Sequence, residues 1–357
     1  MKEIEIFFKK ILLTIYLLFH AKAERKDELI LNTSSKILLV RLNKIGDALV
    51  TTFLVKLLKN QTGCTIDVIA DKKNHFIFSS LPFVDNIYIF PKKVDKIKEL
   101  KEKINSGNYD AVFDLHDDVS TTVTMFIGSL KCKNKVGFKR TNHKIFNYLV
   151  PYPDPHKYHV IERYLSFADF LKLDYDKNEI RVLFPLNNET KLEVQNNIEN
   201  KFAEKKYLVG INISAGSEAR FWGIERYKEL ISYFKRYDVN LLVIATENDR
   251  AKAEKLLDEK VELFINPDFN RFAACVGTVD FLFTPDTSII HLASAYNIPT
   301  FGIFVKYNTE NVIWYPYNTV HETVVIEDPT FENLDYNSVH DKLEPFFEKI
   351  YYAKGNS

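Results

Sequence analysis

The chain has 357 residues, which is longer than one ordinary domain and about the length of two. Hydrophobic residues make up 46% of it and charged residues 27%, a balance typical of soluble globular proteins. Lysine plus arginine equals aspartate plus glutamate, at 48 each, so no overall positive field attracts nucleic acid and any anion site must be local.

The cysteines are Cys64, Cys132 and Cys275, which lie far apart and form no C-x-x-C pair. This spacing argues against a zinc site and against a disulfide framework. It is typical of proteins from a reducing compartment, and we predict a cytoplasmic location.

Residues 1–35 are predicted to form an amphipathic helix followed by a linker. Residues 11–19 are apolar except for one threonine, but this run is far short of the ~20 residues that a membrane-spanning helix needs. At roughly 100° per residue, eight apolar side chains fall on one arc about 140° wide. They are Ile4, Phe7, Phe8, Ile11, Leu12, Ile15, Leu18 and Phe19, with Lys2, Lys9, Lys10 and His20 on the opposite side, where Ile6, Leu13 and Leu17 also lie.

Two interpretations of this helix remain open. In the first, residues 1–30 lie on an anionic membrane surface, at the inner face of the cytoplasmic membrane. In the second, the helix packs on the protein's own core or on a partner.

From residue 36 onwards, strand and helix patterns alternate. Strands are predicted at 36–42, 65–70, 86–90, 111–115 and 135–138, with helices at about 46–60 and 94–104. A proline-broken segment at 151–155 and a helix at about 158–171 follow. This alternation predicts βαβ units and a parallel sheet covered on both faces.

A second alternation begins near residue 180. Its predicted strands are 207–213, 241–245, 262–265, 281–284 and 300–305, and its predicted helices are 226–236, 250–258 and 287–296. We therefore divide the chain into a domain at 36–175 and a domain at 176–357, whose last helix is free to pack back on the N-terminal domain. Ligands are expected in a cleft between the domains, beyond the carboxyl ends of the strands.

The first strand-to-helix junction contains Gly46 and Asp47. Glycine allows a sharp turn, and a carboxylate near a helix N-terminus is stabilised by the helix dipole. Capping of the helix is by itself a sufficient reason for an aspartate at position 47, and it is one of two interpretations. Its expected position at the mouth of the cleft also makes it a candidate general base for an attacking hydroxyl.

The second junction runs from Asn212 to Trp222. Its small residues Ser214, Ala215 and Gly216 leave backbone N–H groups accessible to phosphate oxygens. Arg220 can add charge-assisted hydrogen bonds to a diphosphate, although a surface arginine on a loop is a common alternative. We interpret Trp222 as a packing residue.

The third junction comprises Asp286, Thr287, Ser288 and His291 at the start of a helix. Asp286 or Thr287 is expected to cap that helix, whose first N–H groups form an anion site. His291, one turn further on, is expected to face the same anion rather than to be purely structural.

An acidic segment at 114–118 contains His116 and Asp117. We interpret it as an acceptor-side rim at the end of a strand, with a solvated acidic loop as the alternative. No histidine lies in a metal-ligand pattern, and G-x-G-x-x-G and P-loop motifs are missing from the sequence. We therefore predict no metal site and no cofactor.

Together, the junctions resemble the ADP-heptose–lipopolysaccharide heptosyltransferases, glycosyltransferase family 9, from about residue 36 to residue 316. Residues 37–47 look like the family's opening strand and its Gly-Asp pair. Residues 212–222 keep the spacing of N-P-G-x-x-x-x-x-K-x-W, and residues 286–291 are similar to D-T-G-x-x-H. Residues 297–300 follow as G-V-P-T does, and residues 314–316 look like the family's W-x-P.

The resemblance implies a GT-B architecture, in which two Rossmann-like, doubly wound parallel-sheet domains face each other across a cleft, here with an extra N-terminal amphipathic helix. It also implies metal-independent, inverting transfer from a nucleotide-diphospho-sugar to a lipid-linked glycan, with Asp47 as the base. The implied donor contacts are Ser214, Ala215, Gly216, Arg220, Glu247, Asp286, Thr287, Ser288 and His291, and the expected acceptor contacts are Lys44, His116 and Asp117.

Some residues depart from the family pattern. Ile213 and Ser214 replace Pro and Gly, Arg220 replaces Lys, and Ser288 replaces Gly. With these changes a phosphate-binding site is still expected, but the identity of the sugar nucleotide is not determined by the motifs. Two other functions also remain: a nucleotide-sugar epimerase or hydrolase of the same architecture, and a non-catalytic nucleotide-sugar-binding protein.

Overall fold

The computed structural model describes residues 2–20, 23–25, 27–305 and 314–355, with side chains from Phe8 onwards except those of Lys9 and Lys10. It divides into two compact units, Met1–Ile180 and Arg181–Ser357. Each unit contains one six-stranded sheet, and all neighbouring strands are parallel. The sheet type agrees with the prediction from alternating strands and helices.

The sheet of the N-terminal unit has the order β3-β2-β1-β4-β5-β6, which reverses between β1 and β4. Apolar runs form its buried strands, because both faces are covered by helices. The strands are β1 (Lys36–Arg41), β2 (Thr65–Ala70), β3 (Asn86–Ile89), β4 (Ala111–Asp114), β5 (Asn134–Phe138) and β6 (Tyr148–Val150). The three-residue strand β6 was not predicted.

Six helices accompany this sheet and one, α1 (Lys2–Phe19), precedes it. They are α2 (Ile45–Leu49), α3 (Thr52–Thr62), α4 (His75–Ser79), α5 (Val94–Ser106), α6 (Thr121–Ser129) and α7 (Val160–Phe170). The prediction of one helix over 46–60 was wrong. The hydroxyls of Thr51 and Thr52 donate to the carbonyls of Ala48 and Leu49, and such bonds to the backbone compete with a continuous helix.

The sheet of the C-terminal unit has the order β12-β11-β10-β7-β8-β9 and reverses between β7 and β10. Its strands are β7 (Tyr207–Asn212), β8 (Val239–Ala245), β9 (Val261–Ile265), β10 (Phe281–Pro285), β11 (Thr300–Val305) and β12 (His321–Ile326). Five of them were predicted to within two residues, and β12 was missed.

The helices of this unit are α8 (Asn188–Glu199), α9 (Ile224–Phe234), α10 (Arg250–Ala253), α11 (Phe269–Val276), α12 (Ile289–Tyr296) and α13 (Tyr336–Ala353). The buried residues of α13 belong to the core that the C-terminal sheet shares with α9. Phe347, for example, lies 4.9 Å from Phe234 and 5.1 Å from Phe281, measured between ring centroids. The last helix therefore packs on its own unit, and a contact between it and the N-terminal domain stays a prediction.

Helix α1 packs on the N-terminal unit through one of its sides. Leu13 and Leu17 are buried in the same core cluster as residues of α6, and the hydroxyl of Tyr16 donates to the carbonyl of Met125. This is the packing on the protein's own core that was one of the two interpretations. Among the described residues, no helix has the length and apolar character needed to cross a bilayer.

Candidate functional site

The predicted site residues follow β1 and β4 in one unit and β7, β8 and β10 in the other. In each sheet, two of these strands flank the point where the strand order reverses. Open parallel sheets bind ligands at this point, beyond the carboxyl ends of the strands. Each unit therefore has a candidate site of its own, and we describe the two separately.

Asp47 lies in the first turn of α2 and is held by Arg41, the last residue of β1. The Nε of Arg41 donates to the backbone carbonyl of Asp47 at 2.9 Å, and an Nη donates to its Oδ1 at 2.7 Å. The Arg41 side chain is fully buried, whereas that of Asp47 is 20% exposed. No described residue donates to Oδ2 of Asp47. One carboxylate oxygen is thus anchored and the other is left for a ligand.

The charge of Arg41 persists in spite of its burial. Burial alone would lower the pKa of the guanidinium, but Tyr164 and the carboxylates of Asp47, Asp117 and Asp118 outweigh this effect and raise the pKa. A permanent cation therefore stands against the Asp47 carboxylate and holds it in place.

His116 has both ring nitrogens engaged. Its Nε2 accepts from the backbone N–H of Leu42 at 3.1 Å, and its Nδ1 lies 2.7 Å from Oδ1 of Asp114. This pairing assigns the ring proton to Nδ1. The imidazole is thus hydrogen-bonded to residues at the ends of both β1 and β4 and links the two strands. The ring is buried and has no nitrogen left for a ligand, so the geometry argues against our prediction of a direct acceptor contact.

Asp117 is similarly committed. The buried guanidinium of Arg163 donates to its two oxygens at 3.0 and 2.8 Å, and the hydroxyl of Tyr152 lies 3.3 Å from Oδ1. The side chain remains 14% exposed. Lys44, by contrast, is exposed at the N-cap of α2, three residues before Asp47, and pairs with no acid among the described residues. Of the three predicted acceptor contacts, Lys44 is therefore the most available.

In the C-terminal unit, the loop after β7 is tied down by Asn212 and Ser214. The Asn212 amide donates to Thr284 at 2.8 Å, and the Ser214 hydroxyl donates to Asp249 at 2.6 Å while it accepts from the Thr246 N–H. The Ser214 N–H donates to Asn212. Ser214 is thus a structural residue, which argues against our prediction of a donor contact for it.

Ala215 and Gly216 keep the character expected of a phosphate loop. Their backbone N–H groups donate to no acceptor among the described residues. Gly216 has a φ of +69°, which favours glycine, and a Cβ built there would meet no heavy atom within 4 Å. The backbone is therefore open to a ligand at this point.

Arg220 joins the second predicted junction to the third. One of its Nη atoms lies 3.2 Å from the backbone carbonyl of Asp286 and 3.2 Å from its Oδ2. Both side chains are partly exposed, at 28% and 19%. The guanidinium is therefore placed beside the start of α12, where an anionic ligand can also reach it.

The start of α12 has unused backbone donors. The N-cap residue is Ser288 rather than the predicted Asp286 or Thr287, although the Thr287 hydroxyl oxygen does accept from the Ile289 N–H at 3.3 Å. The N–H groups of Thr287 and Ser288 donate to no acceptor in the described ranges, and Ser288 makes no side-chain cap bond. Together with Arg220, they form a small site for anionic oxygens.

His291 lies one turn into α12 and is almost fully buried. Burial lowers the pKa of its imidazole to about 4, so the ring is neutral at pH 7. Its Nδ1 is buried and has no hydrogen-bond partner among the described residues, and the ring centroid lies 5.6 Å from that of Trp314. His291 can therefore offer a ligand a hydrogen bond but not a positive charge.

Glu247 begins a short turn after β8 and is 63% exposed. Arg250 donates to its two oxygens at 2.7 and 2.9 Å, and these hydrogen bonds lower the pKa of the carboxyl. The glutamate is accessible, but its carboxylate is already paired. Its contact with a nucleoside stays a prediction.

Within the part of the chain that the structure describes, no group of three or more His, Cys, Asp or Glu side chains could hold a metal ion. Positive charge is supplied by arginines. Sequence analysis missed two supporting residues, Arg163 and Asp249, whose partners lie 46 and 35 positions away. No local pattern in the sequence indicates such pairs.

The protein-family model described as "Glycosyltransferase family 9 (heptosyltransferase)" matches residues 97–343. The chain belongs to glycosyltransferase family 9. It is therefore a glycosyltransferase, as the sequence motifs predicted.

This family 9 glycosyltransferase is similar to the lipopolysaccharide core heptosyltransferase OpsX of Haemophilus influenzae. The two are 21% identical over 307 residues, which cover 81% of this chain and 83% of the relative. The family and its relatives thus agree on transferase chemistry.

Two solved structures resemble the family 9 chain over most of its length. A family 9 glycosyl transferase from Veillonella parvula gives a TM-score of 0.73 at 15% identity and covers 92% of this chain and 99% of its own. The Escherichia coli heptosyltransferase WaaC with ADP gives 0.67 at 17% identity, with 88% and 99% covered. These likenesses concern the fold, and they confirm the predicted GT-B type.

Proposed function

We propose that the enzyme moves heptose from ADP-heptose to a lipopolysaccharide core or a related lipid-linked glycan. The names of the heptosyltransferase relatives support the sugar and the acceptor class, and the bound ADP of one of them supports the nucleotide. The observation that carries the proposal is Asp47, which is anchored on one oxygen and free on the other.

In the proposed reaction, an acceptor hydroxyl attacks the anomeric carbon of the donor. The new carbon–oxygen bond forms as the bond to the diphosphate breaks, so the configuration inverts and ADP departs. Oδ2 of Asp47 takes the hydroxyl proton, while Arg41 keeps the carboxylate in place. Lys44, exposed nearby, is proposed to contact the acceptor.

The C-terminal unit is proposed to bind the departing diphosphate. Arg220 can turn from Asp286 to phosphate oxygens, and the N–H groups of Thr287 and Ser288 already point from the helix start. Preorganised donors of this kind stabilise charge that develops on a leaving group. Ala215 and Gly216 add backbone donors, and His291 adds a neutral one. We propose that the reaction uses no resident metal or cofactor and that the nucleotide sugar is a substrate.

The proposed substrates also imply where the enzyme works. A nucleotide sugar is a water-soluble donor of the cytoplasm, and a lipid-linked acceptor is anchored in a bilayer. We therefore place the reaction in the cytoplasm at the inner face of the membrane.

The test compares Asp47→Asn with Asp95→Asn, an exposed acid that also lies in the first turn of a helix. Asp47→Asn removes the base and should lower transfer by about 10²–10⁴-fold without weakening ADP binding. Asp95→Asn should match the wild type. Heptose transfer and calorimetric ADP binding are measured side by side. Full turnover by Asp47→Asn would remove this residue from the mechanism.

The same assay distinguishes the two other functions. Isomerisation or release of the sugar without an acceptor would identify an epimerase or hydrolase. ADP-heptose binding without turnover across a panel of acceptors would indicate a binding protein.

A further inference from the structure

Helix α1 carries a large apolar surface that faces away from the protein. Six of its large hydrophobic side chains are 41–80% exposed: Phe8, Ile11, Leu12, Ile15, Leu18 and Phe19. The other exposed large hydrophobic residues among the described ranges are scattered singly over different elements and loops. Single exposed residues are ordinary, but a continuous apolar helix face indicates a binding surface. We call these six residues the outer face.

The opposite side of α1 is docked specifically. Leu13 and Leu17 are 9% and 8% exposed, and the hydroxyl of Tyr16 donates to Met125 in α6 at 3.2 Å. The two helices approach so closely that a Cβ on Gly128 of α6 would collide with the Tyr16 ring. The helix is therefore a fixed part of the N-terminal unit with an exposed outer face.

The charge of the segment indicates what covers the outer face. Residues 2–23, which comprise α1 and the segment after it, contain four lysines and two glutamates and so carry a net charge of +2. Anionic lipid headgroups attract such a segment. A second copy of the chain, paired about a two-fold axis, would instead bring together two segments that each carry a net positive charge. The helix itself contains three lysines and two glutamates, all within its first nine residues, and its remaining residues are apolar apart from one threonine and one tyrosine.

We propose that α1 lies flat on an anionic membrane, with the outer face at the boundary between headgroups and acyl chains and the inner side holding the N-terminal unit. Binding to lipid needs neither donor nor acceptor. Only the purpose of the contact depends on the proposed function, because a lipid-linked acceptor is presented at that surface.

The experiment measures co-sedimentation of the full chain with vesicles of phosphatidylcholine, alone or mixed with phosphatidylglycerol. The wild type should bind the mixed vesicles, and binding should fall with added salt. The double variant Ile15→Ser, Leu18→Ser removes two outer-face side chains without touching the docked side. Its vesicle affinity should be lower by at least about tenfold, because each such side chain contributes appreciably when it is buried.

The matched control is the double variant Val94→Ser, Leu192→Ser. These side chains are 69% and 58% exposed on α5 and α8, so the loss of exposed apolar surface is similar but lies elsewhere. The control should bind vesicles as the wild type does. Circular dichroism and sedimentation velocity of both variants verify folding and oligomeric state.

Three results would overturn the proposal. They are no binding of the wild type to anionic vesicles, equal binding by the outer-face variant, and a wild-type dimer that this variant dissociates without any lipid binding. The rate of sugar transfer to a lipid-free core oligosaccharide measures catalytic activity independently of membrane binding. The outer-face variant should keep that activity, so failure of membrane binding and failure of the proposed glycosyl transfer are distinguishable.

Discussion

Buried arginines set the geometry of the N-terminal candidate site at the scale of single residues. Arg41 fixes Asp47, and Arg163 holds Asp117 by two hydrogen bonds. A planar guanidinium suits such paired contacts because its donors form a rigid fork. The carboxylates are therefore positioned before any ligand arrives, and catalysis depends on such preorganisation.

Arg220 plays a different part in the C-terminal unit because it is accessible. Replacing Arg220 with Gln removes a charge-assisted hydrogen bond to the proposed diphosphate and should weaken ADP binding by roughly tenfold, or about 1.4 kcal/mol. Arg236→Gln is the control, since Arg236 is exposed and pairs with Glu344 on the same unit. Calorimetry provides the measurement. Equal ADP affinity in both variants would contradict the proposed phosphate contact.

His291 makes stability depend on pH. The pKa of its imidazole is about 4 in the folded protein, against an ordinary value of 6.5. Between pH 6.5 and pH 4 the imidazole is therefore protonated in the unfolded chain but neutral in the folded one. The contribution of the neutral His291 side chain to the free energy of unfolding is therefore fully present above pH 6.5. It is lost as the pH falls towards 4, by up to about 3 kcal/mol. His291→Gln should flatten the dependence of unfolding free energy on pH in this window.

Urea unfolding at several pH values measures this effect. His156→Gln serves as the control, because His156 is an exposed histidine in a loop. A slope unchanged by His291→Gln would show that the buried imidazole is not the group responsible.

At the scale of secondary-structure elements, the strands were more predictable than the helices. Strands buried on both faces consist of nearly continuous apolar residues, which is why β1, β2 and β11 were found to within a residue. The helices α8 and α11 were missed because α8 has few apolar positions, α11 is only eight residues long, and the start signal of each is a single side chain. Their caps, Asn187 and Asp268, become visible only with the structure.

Trp222 shows how a loop after a strand is fixed to a distant segment. The indole is fully buried, and its N–H donates to the carbonyl of Leu334 at 2.9 Å. Trp222→Phe should cost about 1–3 kcal/mol of unfolding free energy, because it leaves that carbonyl without its donor. Tyr352→Phe, at a half-exposed position, should change little. Similar midpoints in urea for both variants would argue against this anchoring role.

At the scale of the whole molecule, the sequence predicted the two α/β units and the junctions that carry Asp47, Arg220 and Asp286. These residues could be found because they lie in the loops and first helical turns that come after buried strands, where parallel sheets bind ligands. The burial of His116 and Ser214 could not be found in this way. Both residues follow strands too, but their polar side-chain atoms form hydrogen bonds with residues that are distant in sequence and are therefore not available to a ligand.

Of the two interpretations of the N-terminal helix, packing on the protein's own core is observed, and contact with a membrane stays a prediction. On a helical wheel, Leu13 and Leu17 lie on the side opposite the apolar arc. In the structure these two residues are buried against the N-terminal unit. The arc itself stays exposed. Only the three-dimensional packing on α6 shows that one apolar side of the helix is buried against the protein and the other is exposed.

The most direct test of the central claim is transfer itself. The purified enzyme is incubated with ADP-heptose and a heptose-free lipopolysaccharide core acceptor, and mass spectrometry follows the acceptor while ADP release is measured. The account predicts a heptosylated acceptor, one ADP per sugar transferred, and a rate about 10²–10⁴-fold lower with Asp47→Asn. It would be contradicted by ADP-heptose consumption that leaves the acceptor unchanged.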